Sequence, residues 1–250
     1  MEKTEKKENR YGLLGKNISY SFSQGYFVQK FKDLKLENHS YENFDIPHIS
    51  ELKKLLNQND LKGLNVTIPY KEQVIPHLND LDSTARKIGA VNTIKFTSKG
   101  LKGYNTDFYG FKKSIEPYLK KHHNKALILG TGGASKAIRY VLEELGIAHS
   151  YVSRTKMKNQ FLYSELNEDI VKNHRIIINC TPLGTYPKID EKPSIPYTDI
   201  TGQHLLFDLI YNPKKTAFLR EGEAKGAEIC NGLKMLELQA EKAWEIWNSP

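Results

Sequence analysis

The chain has 250 residues, 39% of them hydrophobic, with a mean hydropathy of −0.56. That length suits one large domain or two compact ones, and no stretch reaches the about 18 apolar residues of a membrane span. With 37 Lys and Arg against 29 Asp and Glu, the net charge is +8, which fits an anionic small ligand or a nucleic acid.

The first residues, "MEKTEKKENR", alternate in charge and lack the apolar core of a secretory signal, so 1–9 read as a solvated, disordered tail. "YGLLG" (11–15) is a short apolar strand, and Phe27, Phe31 and Leu34 then recur at helical spacing. "HSYENFDI" (39–46) is a second strand, after which Pro47 opens a helix carrying Leu52, Leu55 and Leu56. The third strand, "GLNVTI" (63–68), stops where Pro69 can no longer donate to a ladder. "AVNTIKF" (90–96) and "GLKGYN" (100–105) form a hairpin.

A second series starts at residue 107 with a helix bearing Phe108, Phe111, Ile115 and Leu119. "ALILG" (126–130) is apolar throughout, the mark of a strand buried on both faces. Further strands are "AHSYVS" (148–153), "RIIINC" (175–180), "HLLFDLI" (204–210) and "AEIC" (227–230), and a last helix runs from Leu233 to Trp247. Alternating strands and helices predict an α/β protein with two mostly parallel sheets. The two cysteines, Cys180 and Cys230, form no Cys-x-x-Cys pair, and the eight histidines are scattered. No metal site is expected, and a cytoplasmic setting is the default.

"ALILGTGGASKAIRYVLEEL" is strand, glycine turn and helix in that order. Gly130 makes the tight turn and Gly132 lets the backbone approach a pyrophosphate. The amides around Gly132, Gly133 and Ala134 then face the anion at a helix N-terminus. Ser135 stands where the fingerprint has a third Gly or Ala. An NAD site wants an acid at the end of the next strand, yet no acid occurs from Leu145 to Ser164. Arg154, Lys156 and Lys158 stand there instead, and a guanidinium can grip a 2′-phosphate through two parallel hydrogen bonds. NADP is therefore the predicted cofactor, against the alternative of a solvated basic loop.

In the first half, polar groups gather at strand ends: "SYSFS" (19–23), "NVTIPYK" (65–71), "GAVNT" (89–93) and "GYNTDFYGF" (103–111). Singly, each has an ordinary reading. Ser21 or Ser23 can cap the first helix, Thr106 or Asp107 the one that follows them, and Lys71 can be a surface lysine.

Together they resemble the shikimate dehydrogenases. Asn65–Lys71, Gly89–Thr93, Asn105–Gly110, Gly130–Gly133, Asp208–Pro213 ("DLIYNP") and Gly232–Gln239 ("GLKMLELQ") match that family's pattern in order. The resemblance covers the chain from about Tyr11 to Trp247. It implies two domains with the site in the cleft between them: an N-terminal α/β substrate domain (1–106 with 233–250) and a Rossmann-like NADP domain (107–232). It also implies the reversible, NADPH-linked reduction of 3-dehydroshikimate to shikimate in aromatic amino-acid biosynthesis. By resemblance, Ser21 and Ser23 hold the substrate carboxylate, Thr67, Asn92, Asp107 and Gln239 bond ring hydroxyls, and Tyr211 lines the pocket. Lys71 and Asp107 are the implied catalytic pair. The cofactor is assigned to Gly130, Thr131, Gly132, Gly133 and Ala134, to Ser153, Arg154 and Thr155, and to Gly232 near the nicotinamide. Four positions depart from the pattern: Asn17 for a common proline, Tyr20 for a histidine, Ser153 for an asparagine and Thr185 for a methionine.

A ketone and its alcohol differ by a hydride and a proton, so the protein must supply positioning and a proton donor. Lysine is an ammonium at neutral pH, which suits the reducing direction. The competing readings are a quinate/shikimate dehydrogenase, a catalytically idle paralogue that only binds a ligand, and a nucleic-acid binder driven by charge. The last lacks any nucleic-acid motif. The predicted partner is a small-molecule substrate, with no nucleic acid and no membrane, on a monomer or homodimer.

Overall fold

The computed structural model describes residues 9–18, 21–56, 60–156 and 160–249. Residues 1–8 of the expected tail, Tyr20 and Lys158 lie outside the described residues. Two compact units emerge, Met1–Thr106 with Ala240–Pro250, and Asp107–Gln239.

The first unit contains β1 (Asn9–Gly15), α1 (Phe22–Asp33), β2 (His39–Asp45), α2 (Leu52–Leu56), β3 (Leu61–Val66), α3 (Tyr70–Gln73), β4 (Asp80–Leu81), α4 (Ser83–Ile88), β5 (Thr93–Thr97) and β6 (Gly100–Tyr104). Its sheet runs β2-β1-β3-β5-β6-β4, with β5 antiparallel to both neighbours and the other pairs parallel. Asn9, assigned to the tail, is a strand residue whose N–H donates to Asn38 O at 2.8 Å. Strand side chains alternate between two cores, as the pleat requires. Leu14, Leu64 and Val66 pack with Leu52, Leu55 and Tyr70, while Tyr11 and Leu13 pack with Phe27, Phe31 and Trp247.

Two expectations change here. β3 ends at Val66, and Ile68 is 71% exposed where a buried strand residue was expected. Thr67 N still bonds Leu14 O at 2.9 Å, but Pro69 has no N–H to continue the ladder and α3 starts at Tyr70. Leu34, placed on the apolar face of α1, is the helix's C-cap and is 48% exposed.

The second unit holds α5 (Asp107–Ile115), β7 (Lys125–Leu129), α6 (Gly133–Glu144), β8 (Ala148–Ser153), β9 (Gln160–Leu162), α7 (Glu168–Asn173), β10 (Ile176–Asn179), β11 (Leu205–Asp208), α8 (Ala217–Ala224) and β12 (Glu228–Cys230). Its sheet is parallel throughout in the order β12-β11-β10-β7-β8-β9. Counted from β7 this is the 3-2-1-4-5-6 order of a Rossmann-like dinucleotide fold. Ala126 and Ile128 face one core and Leu127 and Leu129 the other, which is why β7 has no polar position among these four. Cys180 and Cys230 are free thiols.

The last helix, α9 (Leu233–Asn248), begins in the second unit and ends in the first. The chain passes back at Ala240, seven residues later than the sequence suggests, because Met235 is buried among Phe111, Ile138 and Phe207. Beyond that point Ala240, Ala243 and Trp247 join the first unit's core, and Trp247 Nε1 donates to Ile94 O at 3.0 Å.

Candidate active site

In the first unit, the candidate residues sit on the loops and first helical turns that follow β1 and β3 and just ahead of β5. The loop after β1 is pinned by Asp45, whose two carboxylate oxygens accept the N–H groups of Asn17 (2.9 Å) and Ile18 (3.1 Å). Asn17 has φ +56°, a backbone closed to the proline common there in the family. Ser21 caps α1, its hydroxyl accepting Ser23 N–H at 3.2 Å. Ser23, 8% exposed, bonds the Tyr41 phenol, which donates to Asn65 Oδ1 at 2.8 Å. Burial drives that phenol far above its ordinary pKa, so it remains a neutral donor.

Thr67 O receives Tyr70 N–H at 2.9 Å, and Lys71 follows on α3, half-buried. Val91 N donates to Lys71 O at 2.7 Å, tying that turn to the segment carrying Asn92. Asn92 is 3% exposed; its Oδ1 accepts Thr106 N–H at 2.6 Å and its Nδ2 donates to Thr106 Oγ1 at 3.0 Å. The amide therefore braces the chain just ahead of Asp107.

In the second unit, Asp107 opens α5 and is 6% exposed. α5 meets α9 at Gly110, where an added Cβ would stand 2.4 Å from Met235 O and 3.2 Å from Gln239 Cβ. Gln239 is 8% exposed, with Nε2 donating to Leu236 O at 3.0 Å. The structure thus brings Asp107 and Gln239 onto two helices in direct contact. Tyr211 and Gly232 are also neighbours through the chain between them: Gly232 N–H donates to Ile210 O at 3.0 Å.

The nucleotide residues lie at the C-terminal edge of the parallel sheet. Gly130 has φ +96° and a Cβ there would touch Thr181 Cγ2 at 3.0 Å, so the turn needs glycine. Gly132 is the N-cap of α6, no side chain caps it, and nothing lies within 4 Å of where its Cβ would be. Thr131 is exposed beside it, and no acid occupies the first turn. Uncapped amides, a positive dipole end and open space in front fit a dinucleotide's pyrophosphate. Ser135 replaces the third glycine without penalty: it is 1% exposed and its hydroxyl donates to Gly132 O at 2.7 Å.

Past β8, Ser153 spends its hydroxyl on Thr155, accepting the N–H at 3.2 Å and donating to the carbonyl. It shapes the loop and leaves Arg154 and Thr155 exposed. Lys156 is bound by both oxygens of Glu165 at 2.6 Å. Arg154 is exposed and has no such carboxylate partner among the described residues.

Sequence reading passed over Asp45 and Tyr41, took Asn65 only as the start of a motif, and read Thr106 as a helix cap and not as the partner of Asn92. All act on other side chains or on backbone from distant positions, and only the apposition of strands reveals them. It also passed over Glu165, one residue beyond the acid-free window.

The comparisons with known proteins agree. The family model for the shikimate dehydrogenase substrate binding domain matches residues 13–94. The shikimate dehydrogenase (NADP(+)) of Clostridium beijerinckii is 39% identical over 250 residues, 95% of this chain and 91% of that protein. The crystal structure of shikimate dehydrogenase from Aquifex aeolicus superposes with a TM-score of 0.86 at 34% identity, over 96% of this chain and 92% of that one. Shikimate 5-dehydrogenase from Thermus thermophilus, in complex with NADP(H) and shikimate, gives 0.84 at 30% identity, over 96% and 93%. This chain belongs to the shikimate dehydrogenase family.

Proposed function

We propose that this chain catalyses the reversible NADPH-linked reduction of 3-dehydroshikimate to shikimate, with the first unit holding the substrate and the second the cofactor. The observation that carries the reading is the uncapped, open N-terminus of α6 with exposed Arg154 beyond the next strand. It occurs in a chain 39% identical to a relative named shikimate dehydrogenase (NADP(+)).

Bound NADPH supplies the hydride. The chain's own groups do the rest. Ser21 and Ser23 donate their hydroxyl hydrogens to the substrate carboxylate, Ser23 by turning its hydrogen away from the Tyr41 oxygen, whose own hydrogen stays on Asn65 Oδ1. Ser21 does this while capping α1, since a hydroxyl both accepts and donates. Thr67, Asn92 and Gln239 bond ring hydroxyls, and Tyr211 lines the pocket. The Lys71 ammonium gives its proton to the oxygen that gains charge as the ketone is reduced. The Asp107 carboxylate accepts a hydrogen bond from the substrate and is the other member of the proposed catalytic pair. Gly130 to Ala134 cradle the pyrophosphate. Arg154, on the loop shaped by Ser153 and Thr155, takes the 2′-phosphate, and the Gly232 backbone faces the nicotinamide. No helix among the described residues is long and apolar enough to cross a membrane, and the reading includes a cytoplasmic setting.

The test is absorbance at the nicotinamide band with shikimate or quinate, each paired with NADP or NAD. Turnover of shikimate with NADP well above the other three pairs is expected. A preference for quinate or NAD refutes the specificity assigned here. No turnover with any pair refutes the enzyme.

A further inference from the structure

Asp208 is a buried carboxylate that the reaction above leaves unused. It closes β11 and is 0% exposed, as are Asn179 at the end of β10 and Thr216 at the N-cap of α8. Three donors converge on it: Ile210 N–H at 3.0 Å and Asn179 Nδ2 at 3.1 Å on Oδ1, and Thr216 Oγ1 at 2.6 Å on Oδ2. Asn179 Oδ1 in turn accepts Thr181 N–H at 3.0 Å and its hydroxyl at 2.6 Å. One network therefore binds the loops after β10 and β11 to the start of α8.

A buried carboxylate is costly, and apolar packing would close a core with less penalty. What Asp208 holds lies at the C-terminal edge of a parallel sheet, where ligands bind in such folds. The Leu209–Tyr211 turn has two outputs. One is Tyr211 itself. The other is Gly232, whose N–H is held by Ile210 O at 3.0 Å and whose Cβ, if present, would stand 2.0 Å from Leu209 O. The Gly232 backbone rests directly on the turn that Asp208 fixes.

We propose that Asp208 is a positioning residue for this reaction: its carboxylate sets the Leu209–Tyr211 turn and, through the Ile210 carbonyl, the Gly232 backbone. Tyr211 is thereby presented to the substrate and Gly232 to the nicotinamide end of the cofactor. This rests on the functional reading above.

The ionised form is the competent one, because every neighbour of the two oxygens donates. Burial raises the Asp208 pKa to about 6, against the three hydrogen bonds that pull it down. The titratable groups that feel its charge are the Cys180 thiol and the Tyr197 phenol, both raised by burial and neutral in this range. As pH falls through about 6, a proton on Oδ2 forces the Thr216 hydroxyl to reverse and slackens the turn. Activity is then lost on the acid side.

Asp208→Ala, Asp208→Asn and Thr216→Val test this with kcat, NADP affinity and amide hydrogen exchange at Ile210 and Gly232. Misplacement by an ångström costs on the order of 10²-fold, so Asp208→Ala should lose about 10- to 100-fold in kcat. NADP affinity, anchored at Arg154, should hold within about threefold, and both amides should exchange faster. Asp208→Asn, which keeps an acceptor for Ile210 N–H, should recover part of kcat and lack the acid break. The cofactor's own phosphate titrates near pH 6, so the readout is the difference between variant and wild type. Should the alanine variant not fold, Thr216→Val decides: losing a bond that lowers the Asp208 pKa must move the break to higher pH. An unmoved break there, wild-type kcat in a folded Asp208→Ala, or equal loss of kcat and NADP affinity overturns the proposal. Exchange reads the turn without turnover, so failure of the shikimate reading and failure of this one are told apart.

Discussion

Gly110→Ala is the sharpest test of how the second unit presents its candidate residues. The new Cβ would lie 2.4 Å from the Met235 carbonyl oxygen, with Gln239 N and Cβ at 3.2 Å, and real Cβ atoms essentially never approach closer than 3.0 Å. The obstacle is backbone, so no rotamer change relieves it. α5 and α9 must part by about 0.6 Å merely to reach that limit, and overpacking of this kind costs about 1–3 kcal/mol. Alanine's better helix propensity returns up to about 1 kcal/mol, leaving a net loss of about 1–2 kcal/mol. Asp107 precedes the contact by one turn and Gln239 sits in it, so the displacement falls on the proposed substrate groups. Urea denaturation should show the loss of stability. Steady-state kinetics should show kcat/KM for shikimate down by about tenfold, part of the on-the-order-of 10²-fold cost of a full ångström. NADP affinity should hardly change. Wild-type stability together with wild-type kcat/KM would refute both the close crossing and its bearing on the site.

Arg154→Ala should weaken NADP by about 10- to 150-fold, matching the roughly 1.5–3 kcal/mol of a charge-assisted contact, and leave NAD nearly unchanged. Because Glu165 holds Lys156, adding Glu165→Gln to that variant should restore part of the loss; equal loss for both cofactors in direct binding would show that Arg154 does something else. Lys71→Met should lower kcat by at least about 10²-fold with KM within a few-fold, and an unchanged kcat would remove it from the catalytic pair. Acid should destabilise the second unit through His123 and His204, whose Nδ1 atoms accept N–H from Lys120 (3.1 Å) and Thr201 (3.0 Å) and whose pKa values burial lowers. With folded values below the unfolded one, their stability is present above about pH 6.5 and lost as pH falls below it. The melting temperature of His204→Gln should therefore depend less on pH between 7 and 5 than the wild type's; identical slopes would contradict the assignment.

Legibility in the sequence followed the range of the interactions concerned. β7 and the glycine turn were readable because burial on both faces and a helix N-terminus leave local signatures in "ALILG" and "TGG". α4 escaped notice although Asp82 caps it through Thr84 N–H at 2.9 Å, since six residues give too little periodicity. β4 and β9, at two and three residues, carry no pattern of their own and exist because a neighbouring strand offers an edge. "DLIYNP" was visible as a motif, yet Asp208 had no readable role. Its partners Asn179 and Thr216 lie 29 and 8 residues away, and nothing in composition links them.

The adenosine end shows how sequence distance misleads. Parallel strands usually need a connection of about a dozen residues or more, yet residues 154–159 suffice between β8 and β9. They suffice because, among the described residues, β9 pairs only with Tyr151, Val152 and Ser153, the last residues of β8, so the chain has little of the strand to retrace. That short return carries Glu165 back beside Lys156. An acid near the strand end is what an NAD site would want for a ribose hydroxyl. Glu165, however, is occupied: both oxygens bind Lys156 Nζ and Oε2 also accepts Leu162 N–H at 2.7 Å. A carboxylate already satisfied by a cation and an amide has little left to offer a hydroxyl, and its charge is balanced locally. Among the described residues, no carboxylate pairs with Arg154 at the same edge. The preference for a phosphorylated ribose proposed above thus rests on which charges are already spent, a property of the folded loop that counting residues along the chain could not supply.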